Sequence, residues 1–330
     1  MNVRLTAVIA LTLFSPCLAF SAGPLGQVVV WKAKSCGPSD WYTDRVDIGG
    51  KPVTDAIAIS AGRDHALILR ADGSVLGCGG NQYGQTNVPA SLTNVVQVAA
   101  GMFFSLALDK NGNISVWGNT RIKLDDVKDV VAISAGVRPL ALKRDSTVFS
   151  WDRYPGSLLR LTNIVAITAG GGQWERNLAL RGDGIVVAWG DEDVPAGLSN
   201  VTAIAVGEHH SLALKKDGTV YGWGENLVGQ ATGMVNPNGL RNANGLVVHS
   251  GQVLSNVVAI AAGNEYGLFG IGCHYGLALK NDGTVVGWGS ICGSPVLVPE
   301  GLSNVVAIAA GQTFCVAITT NTAVAERFKR

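Results

Sequence analysis

Residues 209–230 read HHSLALKKDGTVYGWGENLVGQ, and this stretch decides the fold. It contains an apolar segment, the pair Asp217-Gly218, a second segment that ends near Trp223, and an Asn…Gly-Gln tail. Its paired histidines could be ligands or bases of a site, or they could belong to one unit of a repeat. The rest of the chain favours the repeat.

An internal repeat runs through most of the sequence. Short apolar segments that end in Ala-Gly or a similar pair recur seven times, at Gly62, Gly101, Gly136, Gly170, Gly207, Gly263 and Gly311. A Leu-Ala-Leu segment, a turn pair and a segment that ends in Trp follow most of these glycines. Such units of about 35 to 50 residues are typical of β-propeller blades.

The turn pairs predict tight two-residue hairpins in which both central residues have positive φ. Each unit then has three strands, and we expect a short fourth strand in its tail. Seven glycines are followed by only six Trp-position segments, and the segment from Gly26 to Trp31 supplies the seventh. We therefore predict an all-β, seven-bladed β-propeller whose N-terminal strand, residues 26–32, completes the last blade. The repeats start near residues 55, 95, 130, 164, 201, 257 and 305.

The N-terminus and the charge restrict the class of partner. Arg4, the apolar run over residues 5–14 and the small residue Ala19 predict a signal peptide over residues 1–19, with one propeller domain over residues 20–330. A membrane anchor is the alternative, but an apolar run of about ten residues is too short to span a bilayer. The formal net charge of +1 leaves no basic field for nucleic acid or an anionic membrane. We expect a secreted or periplasmic monomer without membrane insertion.

The histidines favour packing over metal binding. His65 and His210 follow their repeat glycines by three residues, as do Phe104 and Phe314. A position that His and Phe share is a packing position. The remaining histidines, His209, His249 and His274, show no ligand spacing. We expect no metal and no cofactor.

The repeat resembles the regulator-of-chromosome-condensation repeat, in the pattern Val-x-Ala-Ile-Ala-Ala-Gly…His-Ser-Leu-Ala-Leu-Lys-x-Asp-Gly-Thr-Val-x-x-Trp-Gly-x-Asn-x-x-Gly-Gln. Residues 201–230 match it nearly throughout, and residues 130–200 match it more loosely. The linkers over residues 194–200 and 298–304 are most similar to those of secreted bacterial members, one of which inhibits β-lactamase. The resemblance implies the propeller fold, but that family has several functions.

Blade topology places the candidate site on one face. Loops after the repeat glycines and tails after the Trp segments leave on the same side, which we call the loop face. Exposed side chains on a rigid scaffold are typical binding anchors. The candidates there are Phe103, Trp174, Glu175, His209, Tyr266, Phe269 and His274.

These residues predict non-catalytic binding of an extracellular macromolecule, with a protein preferred. Trp174, Tyr266 and Phe269 could instead tuck back to cover their own loops. The alternative is that the chain is a carbohydrate-binding or adhesion module. Glycan binding needs polar side chains beside an exposed tryptophan, and Trp174 lies between Gln173 and Glu175. The third function is a propeller hydrolase or lyase that uses loop-face acids, namely Asp64, Glu175, Glu208 or Glu265.

Five cysteines remain after residue 19, and an exported chain can form disulfides. Cys36, Cys273, Cys292 and Cys315 belong to the sixth and seventh units, where the ring closes. Two disulfides there, for example Cys36–Cys292 and Cys273–Cys315, would staple the closure, although three pairings are possible. Cys78 is expected to be buried and unpaired.

Overall fold

The described part of the chain folds entirely into strands and connecting loops, which confirms the all-β prediction. The computed structural model describes residues 26–32, 47–48, 51–119, 127–151, 161–171, 176–190, 193–235, 242–263 and 273–320.

The strands are short, with two to seven residues each. The first half of the chain contains β1 (Gln27–Lys32), β2 (Asp47–Ile48), β3 (Lys51–Pro52), β4 (Ala56–Ala61), β5 (His65–Arg70), β6 (Val75–Gly79), β7 (Val95–Ala100), β8 (Phe104–Asp109), β9 (Ile114–Gly118), β10 (Val130–Ala135), β11 (Pro139–Lys143), β12 (Val148–Ser150), β13 (Ile164–Ala169), β14 (Asn177–Arg181) and β15 (Val186–Trp189). The second half contains β16 (Val201–Val206), β17 (His210–Lys215), β18 (Val220–Glu225), β19 (Asn242–Leu246), β20 (Val248–His249), β21 (Gln252–Val253), β22 (Val257–Ala262), β23 (His274–Lys280), β24 (Val285–Ile291), β25 (Ser294–Pro295), β26 (Val305–Ala310) and β27 (Phe314–Thr319).

Within the described ranges, seven antiparallel sheets of three or four strands form the blades. Blade 1 contains β4–β6, blade 2 contains β7–β9, blade 3 contains β10–β12, blade 4 contains β13–β15, blade 5 contains β16–β19, blade 6 contains β22–β25, and blade 7 contains β26, β27 and β1. The predicted fourth strand occurs only in blades 5 and 6 within the described ranges, so that expectation was too general.

The N-terminal strand closes the ring, as predicted. β1 pairs antiparallel with β27, with Gln27 opposite Thr319 and Trp31 opposite Cys315. The inner strands β4, β7, β10, β13, β16, β22 and β26 contact one another in sequence, and β26 returns to contact β4. Both ends of the propeller chain therefore meet in blade 7, and the ring closes on itself.

The repeat glycines lie where neighbouring blades touch. The amide of Met102 donates to the carbonyl of Gly136 at 3.0 Å, and the amide of Val137 donates to the carbonyl of Gly170 at 3.1 Å. A Cβ atom on Gly136 would overlap the carbonyl oxygen of Gly170. Crowding between inner strands thus explains why the sequence repeats glycine at these positions.

The hairpin turns differ from the predicted two-residue type. In blade 1 the amide of Gly73 donates to Arg70 at 3.0 Å, and the amide of Arg70 donates to Ser74 at 2.9 Å. Gly73 has a φ of 80°, whereas Asp72 is not among the residues with positive φ. These are three-residue loops with a type I turn followed by a left-handed residue, which is glycine in blade 1 and Ser146 in blade 3. The Asp72 carboxylate accepts from the Ser74 amide at 2.8 Å, which explains why Asp precedes Gly.

The core lies between neighbouring blades. Leu178 and Leu180 of β14 belong to one buried cluster with Ile204 of β16 and Trp223 of β18. Burying one such leucine stabilises the fold by about 1.5–3 kcal/mol. Each blade is therefore held mainly by the side chains of its neighbours.

The position shared by His and Phe is a packing position, as predicted. His65, Phe104, His210 and Phe314 are all buried, with at most 4% of their surface exposed. Tyr275 holds the equivalent position in blade 6 and is also buried. The residue after it, Gly276, pairs with Trp288, just as the residue after His210, Ser211, pairs with Trp223. The insertion before Tyr275 hid this equivalence from the sequence.

Candidate functional site

The loop face is formed as the blade topology predicts. The tail after each third strand returns to the loop that follows the inner strand of the same blade. The amide of Asn119 donates to Phe103 at 3.0 Å, and the amide of Glu225 donates to His209 at 2.7 Å. The turns and linkers meet at the opposite end, where the amide of Lys216 donates to Asn200 at 2.8 Å.

Phe103 is half-buried within a small cluster on the loop face. Its ring centroid lies 4.6 Å from that of Tyr83 in the tail of blade 1, and the guanidinium carbon of Arg63 lies 4.9 Å from the same ring. Tyr83 is the more exposed of the two aromatic residues. Phe103 is therefore partly covered by its neighbours, and Tyr83 presents the larger aromatic surface.

His209 and His274 come together although their sequence positions are not equivalent. Their ring centroids are 5.5 Å apart, and Nε2 of His209 lies 3.5 Å from a carboxylate oxygen of Glu208. His210, just beneath, is fully buried, and burial followed by the nearby His274 and Arg176 lowers its pKa to about 3. A positively charged His210 is therefore strongly disfavoured, and this region favours a neutral ring in the interior.

The other aromatic and acidic candidates, Trp174, Glu175, Tyr266 and Phe269, lie outside the described residues, as does Glu265. Their assignment to the site stays a prediction.

Asp64, His65 and Ser105 form an arrangement that resembles a catalytic triad. Nδ1 of His65 lies 3.6 Å from Asp64, and its Nε2 lies 2.9 Å from the Ser105 hydroxyl. Burial alone would raise the pKa of Asp64, but hydrogen bonds with His65 and Gln85 hold it below its ordinary value. His65 and Ser105 have no exposed surface, and the Ser105 hydroxyl donates to the carbonyl of Gln85 at 2.7 Å. The serine proton is therefore engaged in a buried contact between blades, out of reach of a substrate.

The cysteines require one correction. No disulfide joins Cys273 to Cys315, so the example pairing Cys273–Cys315 is wrong. Sγ of Cys273 points to Cys292 at 3.1 Å, whereas Cys315 lies against the hydroxyl of Tyr275. Cys292 is disulfide-bonded, and Cys78 is a free thiol, as expected, but it is only partly buried. Cys36 lies outside the described residues, so its pairing stays a prediction.

The tail of blade 5, Asn226–Val235, carries an apolar surface that sequence reasoning missed. Four of its side chains are large, hydrophobic and exposed: Leu227, Val228, Met234 and Val235. The Asn226 side chain accepts from the amides of Ala231 and Thr232 at 2.9 and 3.1 Å and donates to the carbonyl of Met234 at 2.8 Å. The tail is thus a fixed turn that displays these side chains. The available signal was the apolar pair Leu227-Val228 between Asn226 and Gly229-Gln230.

A cavity opens on the loop face between blades 4 and 5, with a volume of about 700 Å³. Its lining is mostly polar and includes Arg176, Asp193, His209, Trp223, Glu225 and Asn244. Both signs of charge are present, so the cavity has no strong net preference for an anion or a cation. Its size is within the usual range of ligand sites, about 300–1,000 Å³.

Neither a membrane helix nor a metal cluster is found in the described ranges. No described helix is long and apolar enough to cross a membrane. Among those residues, no group of three or more His, Cys, Asp and Glu side chains could hold a metal ion.

Sequence comparison identifies the repeat. The model of the regulator of chromosome condensation (RCC1) repeat matches residues 56–85, 95–121 and 201–230. The chain is 27% identical to protein pim1 of Schizosaccharomyces pombe over 41% of this chain and 25% of that protein. It is 28% identical to the probable E3 ubiquitin-protein ligase HERC6 of Homo sapiens over 32% of this chain and 13% of that protein. The chain thus spans a quarter or less of these curated relatives.

Structural comparison extends the likeness to nearly the whole chain. The crystal structure of Prp20p from Saccharomyces cerevisiae superposes with a TM-score of 0.65 and 20% identity, over 93% of this chain and 94% of that one. Human WBSCR16 gives a TM-score of 0.60 and 17% identity, over 90% and 99%. At these identities the likeness is one of fold. The chain therefore has the fold of an RCC1-like β-propeller, and three of its segments match the RCC1 repeat.

Proposed function

We propose that this chain is an exported, monomeric, non-catalytic scaffold that binds another protein through the loop face. The observation that carries the proposal is the apolar surface of the blade 5 tail. Met234 and Val235 are 55% and 60% exposed on a segment that hydrogen bonds already hold in place. Neighbouring exposed hydrophobic residues of this kind are typical of protein interaction sites.

The rigidity of the tail favours tight binding. A flexible loop loses conformational freedom when it binds, at a cost of about 0.5–1.5 kcal/mol for each immobilised side chain. The Asn226 side chain fixes the backbone of the blade 5 tail before any partner arrives. Tyr83 holds the place in the blade 1 tail that Val228 holds in blade 5, so a second apolar contact is available on the same face.

The fold relatives support protein binding as the general role. Prp20p was described together with its binding to Gsp1p and histones, and yeast RCC1 (Prp20) was solved bound to Kap60. For this chain the net charge of +1 disfavours a nucleic acid partner and leaves a protein with apolar contacts as the better candidate. The buried position of His65 and Ser105 supports a role without catalysis.

Export is supported by the N-terminal sequence and by one cysteine. Disulfides persist mainly in oxidising compartments, and Cys292 is disulfide-bonded. The partner is then an extracellular or periplasmic protein.

The test is capture with two matched variants. The loop-face variant carries Leu227→Ser and Met234→Ser, and the control variant carries Ile185→Ser and Leu297→Ser, which are exposed hydrophobic positions away from the blade 5 tail. Proteins and glycans from the native surroundings are passed over each immobilised chain. We expect a protein that is retained by the wild type and the control and lost by the loop-face variant. Equal retention by all three, or retention of a glycan alone, would contradict the proposal.

A further inference from the structure

In blade 2, two buried hydrogen-bond donors share one acceptor, which the tail of blade 1 supplies. The Ser105 hydroxyl and Nε1 of Trp117 lie opposite each other on β8 and β9. Both donate to the main-chain carbonyl of Gln85, at 2.7 and 2.8 Å. Gln85 ends the Asn-x-x-Gly-Gln tail of blade 1, so the tail of one blade satisfies the buried donors of the next.

The same contact recurs between blades 5 and 6. Nε1 of Trp288 donates to the carbonyl of Gln230 at 3.0 Å, and Gln230 ends the Asn-x-x-Gly-Gln tail of blade 5. Blade 6 has Gly276 in place of the serine, so only one donor is present there. In both pairs of blades, a peptide turn that ends in Gly-Gln therefore lies between the blades and accepts the hydrogen bond.

The sequence of the blade 4 tail lacks this motif. Trp189 is followed by Gly-Asp-Glu-Asp-Val-Pro, with no Asn-x-x-Gly-Gln. In blade 5, Ser211 and Trp223 lie opposite each other as Ser105 and Trp117 do. Neither the Ser211 hydroxyl nor Nε1 of Trp223 has a hydrogen-bond partner in the described part of the molecule, and their residues are only 0% and 3% exposed.

Trp31 in blade 7 is a second tryptophan that follows a tail of this kind. Blade 6 also ends without Gly-Gln, and Nε1 of Trp31 in blade 7 likewise has no partner among the described residues. Leaving a buried donor unsatisfied costs about 1–3 kcal/mol. Blade 5 therefore stores two such costs, and Trp223, which carries one of them, lines the cavity on the loop face, with Ser211 directly behind it on β17.

This cavity lies between blades 4 and 5. Trp223 forms part of its wall, together with Arg176, His209 and Asn244. Asp193 and Glu225 add the opposite charge to the same wall. A wall with both signs of charge and an amide suits the neutral polar groups of a peptide backbone better than a free ion.

We propose that this cavity binds a peptide turn of the protein partner, whose main-chain carbonyl accepts hydrogen bonds from Ser211 and Trp223. The inference rests on the proposed function and names the chemistry of one contact within it. The bound turn takes the place that residues 81–85 hold beside blade 2. The exposed side chains of the blade 5 tail lie beyond β18 and contact the rest of the partner.

The direct test uses the indole signals of the full mature chain. The probe is the acetylated and amidated peptide Asn-Leu-Val-Gly-Gln-Ala-Thr, the sequence of residues 226–232, and a scrambled peptide is the control. The indole N–H resonances of the eight tryptophans are assigned by single Trp→Phe variants. We expect a saturable shift of the Trp223 indole resonance, with the Trp117 and Trp288 resonances unchanged because their donors are already satisfied internally.

Variants separate this contact from general binding. Removing one hydrogen bond weakens binding about fivefold, so Ser211→Ala with Trp223→Phe is expected to weaken it by at least about tenfold. Trp288→Phe, the matched control, leaves peptide affinity unchanged. The absence of any shift at millimolar peptide, or equal shifts with the scrambled peptide, would overturn the inference.

The partner captured by the loop face distinguishes the two proposals. If its binding is lost in the loop-face variant but unchanged by Ser211→Ala with Trp223→Phe, the proposed function stands and the peptide-turn contact is wrong. If neither set of substitutions changes capture, the proposed function fails as well.

Discussion

Ser105 and Ser211 hold the same position in two blades, and we predict opposite responses to the same substitution. Both side chains are fully buried. The Ser105 hydroxyl donates to Gln85 at 2.7 Å and lies 2.9 Å from Nε2 of His65, whereas the Ser211 hydroxyl has no partner among the described residues. Replacement by alanine removes two hydrogen bonds in one blade and none in the other.

The magnitudes follow from these contacts. Each hydrogen bond contributes about 1 kcal/mol net, so Ser105→Ala is expected to lower the free energy of unfolding by about 2 kcal/mol. Ser211→Ala removes an unsatisfied buried hydroxyl, so we expect a change within about 0.5 kcal/mol of zero or a gain. The difference between the two variants is then about 2 kcal/mol or more.

Urea unfolding measures this difference. The eight tryptophans supply a fluorescence signal, and an unchanged dependence on urea shows that both variants unfold the same structure. Wild type is the reference for both. Equal destabilisation by the two substitutions would refute the reasoning, because it would mean that Ser211 has an acceptor as Ser105 does.

Three further predictions concern acid sensitivity, the inner ring and the thiols. Because burial lowers the pKa of His210 from 6.5 to about 3, the unfolded chain takes up a proton that the folded chain refuses as pH falls below 6.5. The wild type should lose about 2 kcal/mol of stability from this group between pH 7 and 5, and His210→Phe, which copies Phe104, should lose that much less in the same pH titration of unfolding. Gly136→Ala should lower the unfolding free energy by about 1–3 kcal/mol through overlap with Gly170, and denaturation showing no loss would contradict the crowded inner ring. Alkylation of the unfolded, unreduced chain should modify Cys78, Cys273 and Cys315 but not Cys292; mass spectrometry that finds Cys292 modified would contradict its disulfide.

The architecture could be predicted from the sequence because each repeated residue makes the same packing contact in its blade. Inner-strand glycines such as Gly136, the His or Phe position and the closing segment at Trp31 each reflect one contact that every blade must make. The turn type could not be predicted from Asp-Gly alone, because Asp-Gly suits both the two-residue and the three-residue hairpin. Tyr275 was missed because an insertion shifts its spacing from Gly263.

The candidate site was harder to predict for a different reason. The cavity arises from residues that blade 4 lacks, and their absence has meaning only once the contact between Gln85 and blade 2 is known. Leu227 and Val228 occupy the variable positions of the Asn-x-x-Gly-Gln signature, and the signature itself does not indicate whether those positions are exposed. Phe103 was correctly placed on the loop face, but its contact with Tyr83 could not be read from residues so far apart.

The most direct measurement of the central claim is hydrogen–deuterium exchange of the chain with and without its captured protein partner. The account predicts slower exchange on binding in Asn226–Val235 and in β19, which lines the cavity. It predicts no change around Ile185 or Leu297, away from the blade 5 tail. Protection confined to the Asp-Gly turns and linkers would contradict the account, because it would place the partner on the opposite end of the propeller.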